Sequence, residues 1–426
     1  MNHMTNRTSV LTLLGSAGGV AKAILAILNK SAVDVTDPIH PIITNCQLHL
    51  IDMKSVDKQL YFQLFPNLKQ RFVFHQLDLS DKDKFIQHLK NTKTSLVIDV
   101  SWADTVEMVK ACNSLGISYV NSALENPYID ENEDQFAGFG LIERLNWIEG
   151  KRHLITNSKA ILCSGMNPGV VQWMATELFK NKPTNETPLA CFIVEHDNSF
   201  FKDKSLAKEN VVYTTWSPEC FLDEAILSYP MFMKGETPLF LYENVYDLEF
   251  KVRLGDIMFY GCLMPHEEVY TLGKLLNLES GFIYKVNEHT TKLIRSNIDD
   301  VDKIWDFEMK VLNPLDGELV GEDLCGVLMV YPDKEQYMYN VLTNIEIFDK
   351  FQMNATYFQV ACGIYASLSV LLLDDIPKGA HYVDELLLNH QTNFGQYLKH
   401  YMKDFVVGEN DKSDGLILDR MRDFKD

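Results

Sequence analysis

The run Val10-Leu-Thr-Leu-Leu-Gly-Ser-Ala-Gly-Gly-Val-Ala21 constrains this chain more than any other stretch. An apolar, strand-forming segment stops at Gly15. Small residues follow, and Lys22-Ala-Ile-Leu-Ala-Ile-Leu28 opens a helix. The order is strand, glycine turn, helix. Small residues let the backbone approach a diphosphate, and the helix N-terminus presents unpaired N–H groups and a positive dipole end. The Gly-x-Gly-x-x-Gly spacing is met with substitutions, as Ser16-x-Gly18-x-x-Ala21 or Gly15-x-Ala17-x-x-Val20. The turn predicts a dinucleotide cradle built from Gly15, Ser16, Ala17, Gly18, Gly19 and Val20.

Cys46-Gln-Leu-His-Leu-Ile-Asp52 reads as the next strand, ending in an acid. A carboxylate there accepts hydrogen bonds from ribose hydroxyls and repels a 2′-phosphate, so Asp52 predicts NAD over NADP. It comes later than the usual spacing of about 20 residues, and Asp34-Val-Thr-Asp-Pro-Ile-His-Pro41 reads as the insertion responsible. The alternation continues with a strand at 72–78, a helix at 81–89, a strand at 95–99, a helix at 104–115 and a strand at 117–121. This is a βαβ series. It predicts a Rossmann-type, doubly wound parallel sheet with its ligand at the strand carboxyl ends. Asp99, at one such end, is a further cofactor-binding candidate.

Beyond about residue 155 the pattern changes. Residues 160–173 run strand, turn, helix, with Asn167 as the expected N-cap and Pro168 in the first turn. Strand-like segments follow at 189–195, 211–215, 239–241, 250–253 and 326–331, with few helices between them. They predict a second, α+β domain with a largely antiparallel sheet. The expected organisation is 1–160 for the NAD-binding domain, 161–354 for the substrate domain, and 355–426 for C-terminal helices packing back on the core. Residues after about 408 are polar and read as a loose tail. The apolar stretch 355–373 is long enough to span a bilayer but reads as a buried core helix.

A net charge of −20 excludes a nucleic-acid partner and suits a cationic ligand. The eight cysteines show no Cys-x-x-Cys spacing. They predict no metal site and no disulfide framework, and therefore a reducing, cytoplasmic location.

Polar residues stand where pattern alone would not put them. Asp99 and Glu125 follow apolar strands, and Glu195 and Asp197 close another. Trp216 precedes Glu219 and Glu224, His266 follows a proline, and Asp323 precedes an apolar run. Caps and solvated turns explain any one of these. Together, acids and an indole beside a nicotinamide suit an amine substrate, because carboxylates bind ammonium groups and an indole face attracts a cation by about 0.5–2 kcal/mol.

Four segments, in order, resemble one family. Ser164-Gly-Met-Asn-Pro-Gly-Val-Val-Gln-Trp173 is similar to its Gly-x-Asn-Pro-Gly-Met-Val-x-Trp turn. Thr215-Trp-Ser-Pro-Glu-Cys-Phe-Leu-Asp-Glu224 resembles its Thr-Trp-Ser-x-Glu-Gly-Phe segment, with Cys220 in place of a glycine. Asp323-Leu-Cys-Gly-Val-Leu-Met329 resembles Asp-Glu-Leu-Gly-Val-Leu-Leu, and Asn354-Ala-Thr-Tyr-Phe-Gln-Val360 resembles Asn-Ala-Thr-x-x-Gln-Val. The family is bacterial homospermidine synthase, within the saccharopine dehydrogenase group. The resemblance implies NAD-dependent aminobutyl transfer: putrescine is oxidised to an imine, a second putrescine displaces ammonia, and the new imine is reduced again. It implies that Asn167, Trp216, Glu224 and Asp323 line the amine pocket. Asp99, Glu125, Glu195 and His266 stand outside the matched segments as additional catalytic candidates. It also implies a homodimer that takes putrescine or a related diamine; the charge and the reading of 355–373 as a core helix predict no nucleic-acid and no membrane partner. Two other readings stay open: a saccharopine- or carboxynorspermidine-type dehydrogenase, and a catalytically silent NAD-binding regulator. The first would need a basic residue for a substrate carboxylate, and none occurs between Trp216 and Tyr229.

Overall fold

The computed structural model describes residues 9–182 and 186–424. The chain divides into two compact units, each assembled from separated stretches. The first comprises Met1–Glu131, Arg144–Gly165 and Val360–Met402, and the second Asn132–Glu143, Met166–Gln359 and Lys403–Asp426.

In the first unit, strands β1 (Val10–Leu14), β2 (Gln47–Asp52), β3 (Phe72–Gln76), β4 (Leu96–Asp99), β5 (Ser118–Asn121) and β6 (Lys159–Leu162) join a seventh, Gly379–Tyr382. Every pairing is parallel, and the order from the seventh strand is β6-β5-β4-β1-β2-β3. β1 and β4 are apolar throughout except for Thr12 and Asp99, and every residue in them is buried. Such runs suit a parallel sheet covered on both faces. Helices α1 (Gly19–Ser31), α2 (Lys82–Thr92) and α3 (Thr105–Leu115) make crossovers. Asp81 caps α2 by accepting from Lys84 N at 3.1 Å, and Asp104 caps α3 by accepting from Glu107 N at 3.0 Å. The order of strands reverses at β1, the point at which doubly wound sheets open a crevice for a ligand.

The second unit is built on a ten-stranded sheet. Its main strands are β7 (Ala190–Asp197), β8 (Leu248–Leu254), β9 (Ile257–Met264), β10 (Glu279–Lys285), β11 (Glu322–Val330), β12 (Glu335–Thr343), β13 (Val406–Asn410) and β14 (Met421–Asp423). They lie in the order β13-β12-β11-β7-β10-β9-β8-β14, and the hairpin Met231–Lys234/Thr237–Phe240 pairs beside β10. All of these pairs are antiparallel except β7–β10. Side chains alternate between faces along each strand. Phe192, Val194, Ile283, Leu324 and Leu328 share one face and form an apolar core with Phe250, Val252, Phe259 and Ile417. Their neighbours Glu195, Asp197, Tyr284, Asp323 and Cys325 therefore point to the other face.

Helices α4 (Val170–Lys180), α5 (Pro218–Ile226) and α6 (Glu267–Leu276) belong to this unit. α7 (Ala355–Leu373) begins in it and runs on in the first. α7 is a described helix long and apolar enough to cross a membrane, and it is mostly buried. Within the first unit Gly363 lies so near Gly165 O that any Cβ there would collide with it, and Ser164 Oγ bonds Ser367 Oγ at 2.6 Å.

Two expectations are corrected. Asn167 does not cap α4, which starts at Val170 after Gly169 with φ +130°, a conformation open in practice to glycine alone. The residues after 408 are not a loose tail: β13 pairs with β12 and β14 with β8. Arg420 and Glu335, both fully buried, form an ion pair, and Glu335 also accepts from Asn410 Nδ2 and Asp414 N at 2.8 Å each. Paired and hydrogen-bonded charges can be buried where solitary ones cannot.

Candidate active site

At the carboxyl ends of β1 to β4 lies a cavity of about 670 Å³. Gly15, Ala17 and Gly18 line it from the first turn, Asp52 and Lys54 from the end of β2, Asp78, Ser80 and Lys82 from the end of β3, and Ser101 to Asp104 from the end of β4. Met53, Trp102 and Tyr128, all more than half exposed, offer it flat apolar surface.

The turn fits a dinucleotide diphosphate. Gly15 has φ +70°, and a Cβ there would sit 2.5 Å from Val100 O, so only a glycine passes. Gly18 caps α1 with no side chain in the way, and the first-turn amides, starting with Gly19 and Val20, have no partner within the helix. Ser16 Oγ is buried and unpartnered. Asp52 does more than the sequence suggested. Its Oδ2 accepts from Ala17 N at 2.8 Å and its Oδ1 from Lys54 N at 2.9 Å, so it ties the turn to β2. Tyr61 OH donates to Ser16 O at 2.5 Å and braces the turn from behind. Asp99 faces inward instead of lining the cavity. It accepts from Ser101 N (3.0 Å), Ser101 Oγ (2.6 Å) and Tyr119 OH (2.8 Å), and burial raises its pKa. It shapes the Ser101 turn from below. Glu125, half-buried, follows β5, where its backbone N–H donates to Thr105 Oγ1 at 2.9 Å.

The second unit gathers the other candidates on the polar face of its sheet. Asp197 stands opposite Asp323 across β7 and β11, and Glu195 lies between Cys325 and Tyr284 on its two neighbours. Asn167 Nδ2 donates to Glu195 Oε2. Thr215 Oγ1 lies 2.5 Å from Asp197 Oδ2 and 2.8 Å from Thr356 Oγ1, which lies 2.6 Å from Asp323 Oδ2. Asn354 Nδ2 donates to Thr215 O at 2.8 Å, and Gln359 Nε2 to Asp323 O at 3.2 Å. Trp216, half-buried, donates from Nε1 to Tyr284 OH at 3.3 Å. Residues far apart in the chain thus meet, and every one of the four matched segments contributes.

Beside them α5 carries Glu224, and α6 starts just after His266. His266 Nδ1 bonds Glu268 Oε2 at 2.5 Å, and its Nε2 lies 3.8 Å from Glu224 Oε1. The His266 ring packs on Phe282, which stacks on Tyr284.

The electrostatics follow from this crowding. Burial, then the charges of Asp323 and Asp197, push Glu195 well above the carboxylate range against the pull of Asn167 and His266. Burial, then Asp197, does the same to Asp323, and burial raises Asp197 despite Ser199 and Thr215. Burial pushes Glu224 up to about 8, opposed by His266 and helped by Glu267. Burial alone would lower His266, but Glu268, Glu224 and Glu267 hold it well above its ordinary value. Three carboxylate oxygens here, Glu224 Oε2, Glu268 Oε1 and Asp323 Oδ1, are buried with no partner among the described residues. The arrangement stores protons and offers unfilled acceptors to a cationic N–H donor.

Tyr284, Thr215, Thr356 and Glu268 were not foreseen as site residues, whereas Asp197 was noted beside Glu195 at the end of its strand. Strand alternation from Glu195 points to Asp197, but the rest are placed by tertiary packing. Among the described residues, two groups have donor atoms within 4.8 Å of one another: His266 with Glu267 and Glu268, and His49 with His75 and His88.

Residues 11–138 match the saccharopine dehydrogenase NADP binding domain family. The chain shares the fold of apo saccharopine dehydrogenase (L-Glu forming) from Saccharomyces cerevisiae, with a TM-score of 0.60 at 11% identity over 94% of this chain and 100% of that one. GenD2 from gentamicin A biosynthesis, solved with NAD, aligns over 80% of this chain and 74% of its own at 9% identity, with a TM-score of 0.31. No curated protein matches by sequence.

Proposed function

We propose that this chain, with a saccharopine dehydrogenase-like fold and a nicotinamide-dinucleotide cradle, acts on the carbon–nitrogen bond of a diamine. The reaction we assign is that of homospermidine synthase, in which two putrescines give homospermidine and ammonia. The observation that carries the assignment is the buried acid group on β7, β11, α5 and α6, with three carboxylate oxygens lacking any partner among the described residues. Bound NAD supplies the hydride acceptor for amine oxidation and the donor for imine reduction. The protein's own part is to bind, orient and protonate. Asp323 and Glu224 receive the ammonium ends of the substrate, and the face of Trp216 stabilises the cationic imine. Glu195, held by Asn167, and the His266–Glu268 pair move protons as amine turns to imine and ammonia leaves. Asp52 and Asp78 on the cavity wall favour NAD over NADP, against Lys54 and Lys82 on the same wall. The working form is a cytoplasmic homodimer, a state that sedimentation velocity measures.

The test is incubation with NAD and putrescine. The expected result is equimolar homospermidine and ammonia without net NADH. Net NADH formation with an amino-acid substrate would establish the dehydrogenase reading. NAD binding with neither reaction would establish a silent regulator.

A further inference from the structure

We propose that His49, His75 and His88 form a binding site for a zinc-class divalent cation, separate from the dinucleotide cavity. β2 and β3 are parallel, with His49 opposite Val73 and Ile51 opposite His75. Both imidazoles therefore rise from the same face of adjacent strands, and His88 on α2 meets them. The ring centroids lie 4.9 Å apart for His49 and His75, 4.5 Å for His75 and His88, and 5.7 Å for His49 and His88. One nitrogen from each ring lies within 4.8 Å of the other two.

Hydrogen bonding leaves this cluster incomplete. His75 Nε2 and His49 Nδ1 are 3.0 Å apart and satisfy one another. Among the described residues neither His49 Nε2 nor His88 Nε2 has a partner, both atoms are buried, and His49 as a whole is only 6% exposed. Buried polar nitrogens normally find a partner, and a lone imidazole in a core is usually tied to a carbonyl or carboxylate. Here two are left over at one place. Imidazole binds a metal through the lone pair of its neutral form. Three histidines fill three corners of a tetrahedral zinc shell at about 2.0–2.1 Å and leave the fourth to water. Binding a metal there requires the 3.0 Å His49–His75 bond to break. The Lys58 ammonium is the local charge opposing a cation.

The placement gives the site a consequence. His49 precedes Asp52 by three residues, His75 precedes Asp78 by three, and α2 begins at Lys82. A bound ion would pin together three elements whose ends line the cofactor cavity.

The test uses the full chain, stripped with a chelator, dialysed and titrated with Zn²⁺ and with Co²⁺ alone. We expect one equivalent to bind, the visible absorption of tetrahedral Co²⁺, a rise in Tm with Zn²⁺, and at least tenfold weaker binding in His88→Gln and in His75→Gln. Circular dichroism and NAD binding of each variant establish that it is folded. If His49→Gln unfolds, the two half-buried positions still decide the matter. Stoichiometric binding that survives both substitutions, or that is lost only in His266→Gln, would overturn the proposal. So would the absence of binding at micromolar metal.

Discussion

Asp197 and Asp323 face each other across β7 and β11 and are linked by the hydroxyls of Thr215 and Thr356 in a chain of contacts of 2.5, 2.8 and 2.6 Å. Three hydrogen bonds need three protons, and the two hydroxyls supply two. The third belongs to one of the acids, so the pair holds one proton in common and cannot be treated as two independent carboxylates. Asp323, the more strongly raised, is the site we assign to it.

Replacing either pocket acid should weaken amine use selectively. Glu224→Gln and Asp323→Asn each remove a carboxyl group that gives up its proton when a cationic amine arrives, and with it a charge-assisted bond of about 1.5–3 kcal/mol, so we expect roughly a ten- to hundredfold higher putrescine requirement with NAD affinity unchanged. Steady-state kinetics beside melting temperatures decide this. A lower Tm with unchanged kinetics would make these acids structural.

Stability should fall as pH rises through the range set by Glu224. Its folded pKa of about 8 exceeds its ordinary 4.5. The folded chain therefore holds a proton that the unfolded chain has released, and its stabilising share, complete below about 4.5, is lost as pH climbs past 8. His266, also raised, works in the same direction. Melting curves from pH 5 to 9 should slope downward, and Glu224→Gln should make the slope shallower. Equal slopes would show that Glu224 is already ionised.

Trp216 should behave as a binding face. It is half-buried and anchored by one bond to Tyr284. Trp216→Phe should retain part of the activity, and Trp216→Ala should lose most of it with the fold intact. An alanine variant that fails to fold would make the indole core filler.

The cofactor turn gives two readouts. Gly15→Ala forces a Cβ against Val100 O at positive φ, at a cost of about 1–3 kcal/mol, and should weaken dinucleotide binding. Asp52→Ala releases the Ala17 amide and removes the charge facing the ribose, so NAD should bind more weakly and its preference over NADP should shrink. Equal affinities for NAD and NADP in the unaltered protein would refute the proposed selectivity; fluorescence titration with both dinucleotides measures it.

Breaking the Arg420–Glu335 pair should be costly. Removing one partner strands a buried charge, about 3–5 kcal/mol. Arg420→Met should lower Tm by many degrees, and pairing it with Glu335→Leu should recover part of the loss. No recovery would mean that the backbone contacts of Glu335 matter more than its charge.

Strands β1 to β6 were legible because each is a short, largely apolar run, the pattern that parallel sheets impose through burial on both faces, whereas the seventh, Gly379–Tyr382, was not. Six strands of the second sheet, Met231–Lys234, β9, β10, β12, β13 and β14, were not. Glu279-Ser-Gly-Phe-Ile-Tyr-Lys carries glycine and polar residues because Gly281 leaves room for Leu263 and Glu279 accepts from Ile417 N at 2.7 Å. Neither reason shows locally. Asn167 looked like a cap because Asn-Pro usually starts helices, yet its amide is spent on Glu195. Candidate acids could be named from strand ends, but their link through Thr215 and Thr356, 141 residues apart, exists only in the folded chain. The ordered end was missed because composition reads charge as solvated, and here Arg420 and Glu335 neutralise each other inside.

The two outermost strands of the large sheet, β13 and β14, come from residues 406–423. During synthesis both rims of that sheet stay open until these residues leave the ribosome, whereas the other unit's sheet is complete once its seventh strand, Gly379–Tyr382, has emerged. The order of emergence makes the acid-bearing unit the last to close. Its unsealed rims are the surfaces by which a nascent or truncated chain would join a neighbour.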